Sequence, residues 1–109
     1  MSALAELAVL TWKLCEAHER EVALATEDRR DAGEALLRFT RRKLGSVLDA
    51  EGLSLRTYDG DAWSAQLPPS PLNAADFGDC AVTVERTLEP TILAGSNVIV
   101  AGKVLLKAA

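Results

Sequence analysis

The last quarter of the chain most constrains its fold, because short apolar runs alternate there with turn residues. The first of these runs has the two-residue alternation of a β-strand, which Glu89-Pro90 interrupts. A second pair of runs flanks the turn sequence Ala94-Gly95-Ser96-Asn97. We therefore predict a small antiparallel β-meander, whose strands are residues 80–88, 91–93, 98–100 and 104–106.

The first half of the chain has the pattern of helices. Residues 3–24 contain neither Gly nor Pro. Apolar residues recur there at alternating spacings of three and four, which is typical of one helix face. This face consists of Leu7, Leu10, Leu14, Ala17 and Leu24.

A polar stretch separates this helix from a second one. Residues 26–31 are all polar, and Asp31 with Glu34 has the spacing of a capping box. We expect a helix break there and a second helix from Ala32 to Ala50, ended by Gly52 as a C-terminal cap. One continuous helix is the alternative.

Between the helices and the meander lie a strand and a proline-rich connection. Residues 53–58 alternate with period two and stop at the turn Asp59-Gly60-Asp61. The prolines at 68, 69 and 71 predict an extended connection without regular structure up to about residue 76.

These elements predict an α+β protein, with an N-terminal helix or helical hairpin followed by a small antiparallel β-module. We divide it into a helical oligomerisation region, 1–52, and a small β-domain, 53–109. The apolar stripes predict pairing of the helices with another copy, as a homodimer or larger homo-oligomer, or with another protein. The residues expected to pair are Leu7, Leu10, Leu14, Leu36, Leu37 and Leu44.

Charge and hydropathy narrow the class of partner. The net charge of −4 argues against sequence-independent binding of nucleic acid, which needs clustered cations. No apolar run approaches the roughly 20 residues that span a bilayer. Glu6 lies close to the start, and no basic run precedes an apolar one, so the N-terminus does not resemble a signal peptide. We expect a cytoplasmic protein with no membrane or nucleic-acid partner.

Few residues are candidates for a metal site or a catalytic site. Cys15 and His18 share a helix face but supply only two of the four ligands of a closed zinc site, so we expect no metal or other cofactor. Cys15 and Cys80 are expected to be free thiols. Four carboxylates flank the proline-rich segment. The simpler interpretation is that they are turn residues. The alternative is that the protein is a small enzyme that uses them. They are Asp59, Asp61, Asp76 and Asp79.

The basic residues of the second helix form one patch. The patch has two interpretations. Basic side chains near a helix C-terminus complement the helix dipole. Alternatively, the patch anchors an acidic surface of a partner. The patch consists of Arg38, Arg41, Arg42 and Lys43.

The order of these parts resembles the GrpE family, the nucleotide exchange factors of DnaK-type chaperones. The resemblance covers residues 32–106. Its first motif is Leu48-Asp49-Ala50-Glu51-Gly52-Leu53, followed by Gly60-Asp61-Ala62-Trp63. Two segments of the β-module continue it, Val84 to Ile92 and Asn97 to Val104. Trp63-Ser64-Ala65 stands where the family has Phe-Asp-Pro.

The resemblance implies a non-enzymatic co-chaperone. Its β-module would dock on a DnaK-type ATPase partner and promote nucleotide exchange by gripping the nucleotide-free form more tightly. An adaptor or assembly subunit of a larger complex, with this fold but without exchange activity, is the alternative. The residues expected to contact the partner are exposed ones around the β corner and hairpin; they are Glu85, Arg86, Glu89, Ile92, Asn97 and Lys103.

Overall fold

A computed structural model describes residues 2–109. The chain begins with a helical hairpin. Helix α1 spans Ala3–Ala23, and helix α2 spans Glu27–Ala50. Ser2 caps α1, because its Oγ accepts a hydrogen bond from the Ala5 N–H at 3.0 Å. The three residues between the helices are too few for anything but a tight reversal, so α1 and α2 pack side by side.

The predicted break exists, but the predicted start of the second helix is wrong. Helix α2 begins at Glu27, five residues before Ala32, with the extended residue Thr26 in the N-cap position. Glu27 and Asp28 occupy the first turn, where negative charge is favoured by the helix dipole. The spacing of Asp31 and Glu34 therefore lies inside α2 and is not a capping box.

Six strands follow the hairpin and form two sheets. The first sheet has the order β1-β4-β5, with every pair antiparallel. The second sheet has the order β2-β6-β3, in which β3 pairs with β6 antiparallel. The strands are β1 (Leu53–Arg56), β2 (Ser70–Pro71), β3 (Val82–Glu89), β4 (Thr91–Ala94), β5 (Asn97–Val100) and β6 (Lys103–Ala108).

The proline-rich connection is more regular than predicted. Its residues Ser70 and Pro71 form strand β2, which pairs with β6 in parallel, so the second sheet is mixed. Beyond it, the Asn73 side chain donates to the Leu106 carbonyl at 2.9 Å and accepts from the Leu106 N–H at 2.8 Å. A 3₁₀ turn over Ala74–Asp76 follows. Proline at the edge of a sheet is tolerated, because its missing N–H faces away from the ladder.

Two separate cores hold the β-module. The first core joins the hairpin to the first sheet, with Ala5, Ala8 and Val9 of α1 packed with Leu48 of α2 and Ile92 of β4. The second core lies on the second sheet and contains Tyr58, Val84, Val104 and Leu106. The α+β class and the helix-then-strand order are therefore confirmed. Neither helix described within residues 2–109 is long and apolar enough to cross a membrane.

Candidate protein-interaction surfaces

The helical hairpin exposes an unusual amount of apolar side chain. Leu14 is 69% exposed and Phe39 is 63% exposed, although both lie in the middle of regular helices. Contiguous patches of this kind on a chain usually mark a surface that another molecule covers. We call the set the apolar face; it consists of Leu7, Leu10 and Leu14 on α1 and Leu36, Phe39 and Val47 on α2.

Side-chain size and helical spacing explain why these residues point outward. The inner side of α1 is built mainly from small residues, among them Ala5, Ala8 and Cys15, so α1 packs on α2 and the first sheet without using Leu7, Leu10 or Leu14. Leu7, Leu10 and Leu14 follow one another at spacings of three and four, which places them together on a different side of α1.

The residues predicted for oligomerisation divide into two groups. Leu7, Leu10, Leu14 and Leu36 are exposed on the apolar face. Leu37 and Leu44 are used inside the chain instead. Leu37 is buried with Cys15 and Val22 between the helices, and Leu44 is half-buried against the first core. The sequence pattern places Val47 on the apolar stripe of the second helix, but Val47 was not assigned to pairing. Phe39 was missed, although Leu36, Phe39 and Val47 have helical spacing that could have revealed it.

Two shallow grooves run between the helices along this face. One has a volume of about 240 Å³, and Leu7, Phe39 and Val47 contribute to its walls. The other has a volume of about 190 Å³ and lies between Leu14 and Leu36. Thr40 lines both grooves, so they are neighbours on one surface. Grooves between apolar side chains are the shape that receives the side chains of a packed partner helix.

The residues predicted to contact a partner from the β-module do not form one cluster. Glu85, Arg86, Asn97 and Lys103 are exposed on three strands. Ile92 was predicted to be exposed, and this is wrong. It is 0% exposed because its face of the first sheet packs on the helices, so it belongs to the first core.

Glu89 has a local partner on each side. Its carboxylate accepts a hydrogen bond from Lys13 Nζ at 2.9 Å and lies 3.7 Å from Lys103 Nζ. The hydrogen bond from Lys13 is the main reason why the pKa of Glu89 is lowered below its ordinary value. This contact joins α1 to β3, so the carboxylate of Glu89 has partners within the chain.

Arg41 joins the two helices on another side. Its Nη2 donates to Glu16 at 3.1 Å and to Glu19 at 3.0 Å. The hydrogen bond from Arg41 lowers the pKa of Glu19, whereas burial, the largest influence, raises the pKa of Glu16. Arg41 therefore has internal partners, while Arg42 and Lys43 of the predicted basic patch are exposed.

Asp59, Cys15 and Cys80 are among the other residues that the sequence singled out for possible chemistry. Asp59 accepts a hydrogen bond from the Thr87 N–H at 2.8 Å, as a turn residue does. Cys15 is buried, Cys80 is exposed, and both are free thiols. Within residues 2–109, no three His, Cys, Asp or Glu side chains are grouped so as to hold a metal ion.

Comparison with known proteins adds no family to these observations. No protein-family model matches the chain, and neither the curated proteins nor the solved structures contain a significant match.

Proposed function

We propose that this chain is a non-enzymatic interaction protein that pairs with a second copy through the apolar face and presents its β-module to a protein partner. The observation that carries the proposal is the exposure of six large apolar side chains on the two helices. Leaving this area in water is unfavourable by roughly 25 cal/mol for each Å² that a partner could cover.

A second copy is the occupant that we propose for the apolar face. On α1 the face runs from Leu7 to Leu14, about 10 Å at 1.5 Å per residue, and on α2 it runs from Leu36 to Val47, about 16 Å. A two-fold axis places the same face on both copies, and two helical hairpins packed face to face form a four-helix bundle.

The β-module is the proposed docking surface for the ATPase. We infer a function of the GrpE type, in which the module binds the nucleotide-free form of a DnaK-type chaperone more tightly and so promotes release of bound nucleotide. The cytoplasm is the proposed compartment. The exposed residues that remain candidates for contact are Glu85, Arg86, Asn97 and Lys103.

An adaptor without exchange activity is the second candidate. The observation that favours it is the segment Trp63-Ser64-Ala65, which stands where the resembled family has Phe-Asp-Pro. Trp63 packs against the second core, so this departure is built into the β-module rather than being a loose surface change. Such a protein would bind its partner without changing the rate at which nucleotide leaves it.

Release of a fluorescent ADP from a purified DnaK-type chaperone of the same organism tests both candidates. Faster release with the chain present supports the exchange factor. Arg86→Glu should abolish the acceleration, and Lys107→Glu, which makes the same charge change at an exposed position of β6, should leave it intact. Binding measured by interferometry without faster release supports the adaptor. Absence of both binding and acceleration would contradict the choice of chaperone as partner.

A further inference from the structure

His18 carries a polar atom that nothing in residues 2–109 satisfies. Its Nε2 is buried and has no hydrogen-bond partner. The imidazole lines the smaller groove of the apolar face, together with Leu14, Cys15, Leu36, Leu37 and Thr40. A buried polar atom without a partner is uncommon in folded proteins and indicates a special environment.

The protonation state of His18 determines how unfavourable the burial of Nε2 is. A neutral imidazole carries one N–H, so Nε2 can remain an acceptor, whose missing hydrogen bond costs less than a buried unpaired charge. An imidazolium has an N–H on both nitrogens and a full charge. Nε2 would then be an unpaired buried donor among leucine side chains, which is a far more unfavourable arrangement.

No opposite charge in the groove offsets this effect. Cys15 is the other titratable group that lines it. On α1, Glu21 lies three residues from His18 and is exposed. On α2, Arg38 and Arg41 line a different cleft, and Lys43 lines the larger groove next to Thr40. A cation cannot stabilise a positive charge on His18, so these residues do not offset the burial of Nε2.

We propose that His18 makes pairing of the two copies sensitive to pH, so that the dimer forms with neutral histidine and weakens as the histidine becomes charged. The inference rests on the proposed dimer through the apolar face. In the single chain the imidazole is half-buried beside an open groove, so a charged ring can leave its buried position by rotating toward water. A second copy closes the groove and removes that possibility. Protonation therefore favours the separated chains.

The direction of the pH dependence follows from the thermodynamic linkage between protonation of His18 and association of the two copies. Because the dimer disfavours the charged ring, pairing is tightest where the histidine is neutral and weakens as the pH becomes acidic. Histidine is the side chain that ordinarily changes its charge between roughly pH 5 and 8, so we expect the effect in that range. Each copy contributes one His18, so two protonation sites act on each dimer.

The test measures the dimer dissociation constant by sedimentation equilibrium at about pH 7.5 and about pH 5.5, with circular dichroism as the check that the chain stays folded. We expect the dissociation constant of the natural chain to rise at least tenfold at the lower pH. His18→Leu keeps the groove apolar without a titratable group, and it should dimerise equally at both pH values.

Three results would overturn the proposal. An unchanged dissociation constant for the natural chain would show that His18 is not linked to pairing. The same pH dependence in His18→Leu would assign the effect to other groups. A chain that is monomeric at both pH values would remove the dimer itself, and the pH switch with it; that outcome differs from a dimer without pH dependence.

Discussion

Tyr58 donates a hydrogen bond from its hydroxyl to Oγ1 of Thr91 at 2.8 Å, and both residues are almost completely buried. Thr91 in turn donates to the carbonyl oxygen of Ala101 at 2.6 Å. Thr91 belongs to β4 of the first sheet, while the ring of Tyr58 lies in the second core. This short chain of hydrogen bonds therefore links the two sheets of the β-module.

Removing the Tyr58 hydroxyl should destabilise the fold. We expect Tyr58→Phe to lower the free energy of unfolding by about 1–2 kcal/mol, because the pair is buried and water cannot replace the lost bond. Urea denaturation followed by fluorescence measures this. Thr57→Val, at an exposed neighbouring position, is the control and should change stability by less than about 0.5 kcal/mol. An unaffected Tyr58→Phe variant would show that the hydroxyl contributes nothing to the joint.

Gly102 should not tolerate a side chain. Its φ is 87°, and an added Cβ would lie 2.7 Å from the Glu89 carbonyl oxygen and 3.0 Å from that of Pro90. Gly95 also has a positive φ, 62°, but has open space around it. We expect Gly102→Ala to lower the free energy of unfolding by more than about 2 kcal/mol and Gly95→Ala by about 1 kcal/mol. Thermal unfolding of both variants shows which of them is destabilised more. Equal losses of stability would contradict the close backbone contact at Gly102.

Glu16 and Glu19 should respond oppositely to neutralisation. The pKa of Glu16 is raised in the fold, so the stability it contributes is present below its unfolded pKa and is lost as the pH rises. The pKa of Glu19 is lowered, so its contribution is present at neutral pH and is lost as the pH falls. At about pH 7, Glu16→Gln should stabilise slightly and Glu19→Gln should destabilise slightly, each by less than about 1 kcal/mol because these side chains are partly exposed.

Denaturation at about pH 7 and about pH 4 tests this pair, because the difference between the two variants should shrink as the carboxyl groups become protonated. Destabilisation by both variants to the same extent at neutral pH would show that Arg41 favours the two carboxylates equally.

Local pattern was enough to predict the helices and most strands. The apolar spacings of Leu7, Leu10 and Leu14 and the turn at Gly52 express preferences that act within a few residues, and the structure has a helix and a turn there. The helix start at Glu27 was missed, because Asp31 and Glu34 have capping spacing without occupying a helix end. Propensity alone does not choose between two competing caps.

Contacts between residues far apart in the chain could not be predicted from local sequence patterns. Ser70 pairs with Lys103 in strand β6, and no property of the proline-rich segment alone indicates that partner. Ile92 was misplaced for a similar reason: alternation shows that a strand has two faces but does not say which of them lies on α1 and α2. The groove around His18 also requires both helices, so its buried Nε2 is found only in the folded chain.

Sedimentation equilibrium of the natural chain beside Leu14→Glu and Leu24→Glu tests the central claim most directly. Leu14 lies in the apolar face, whereas Leu24 is 84% exposed at the turn between the helices, outside that face. We predict a dimer for the natural chain and for Leu24→Glu, and a dissociation constant raised at least ~100-fold for Leu14→Glu with unchanged helix content. A natural chain that remains monomeric at about 100 μM, or a dimer that Leu14→Glu leaves intact, would contradict pairing through the apolar face.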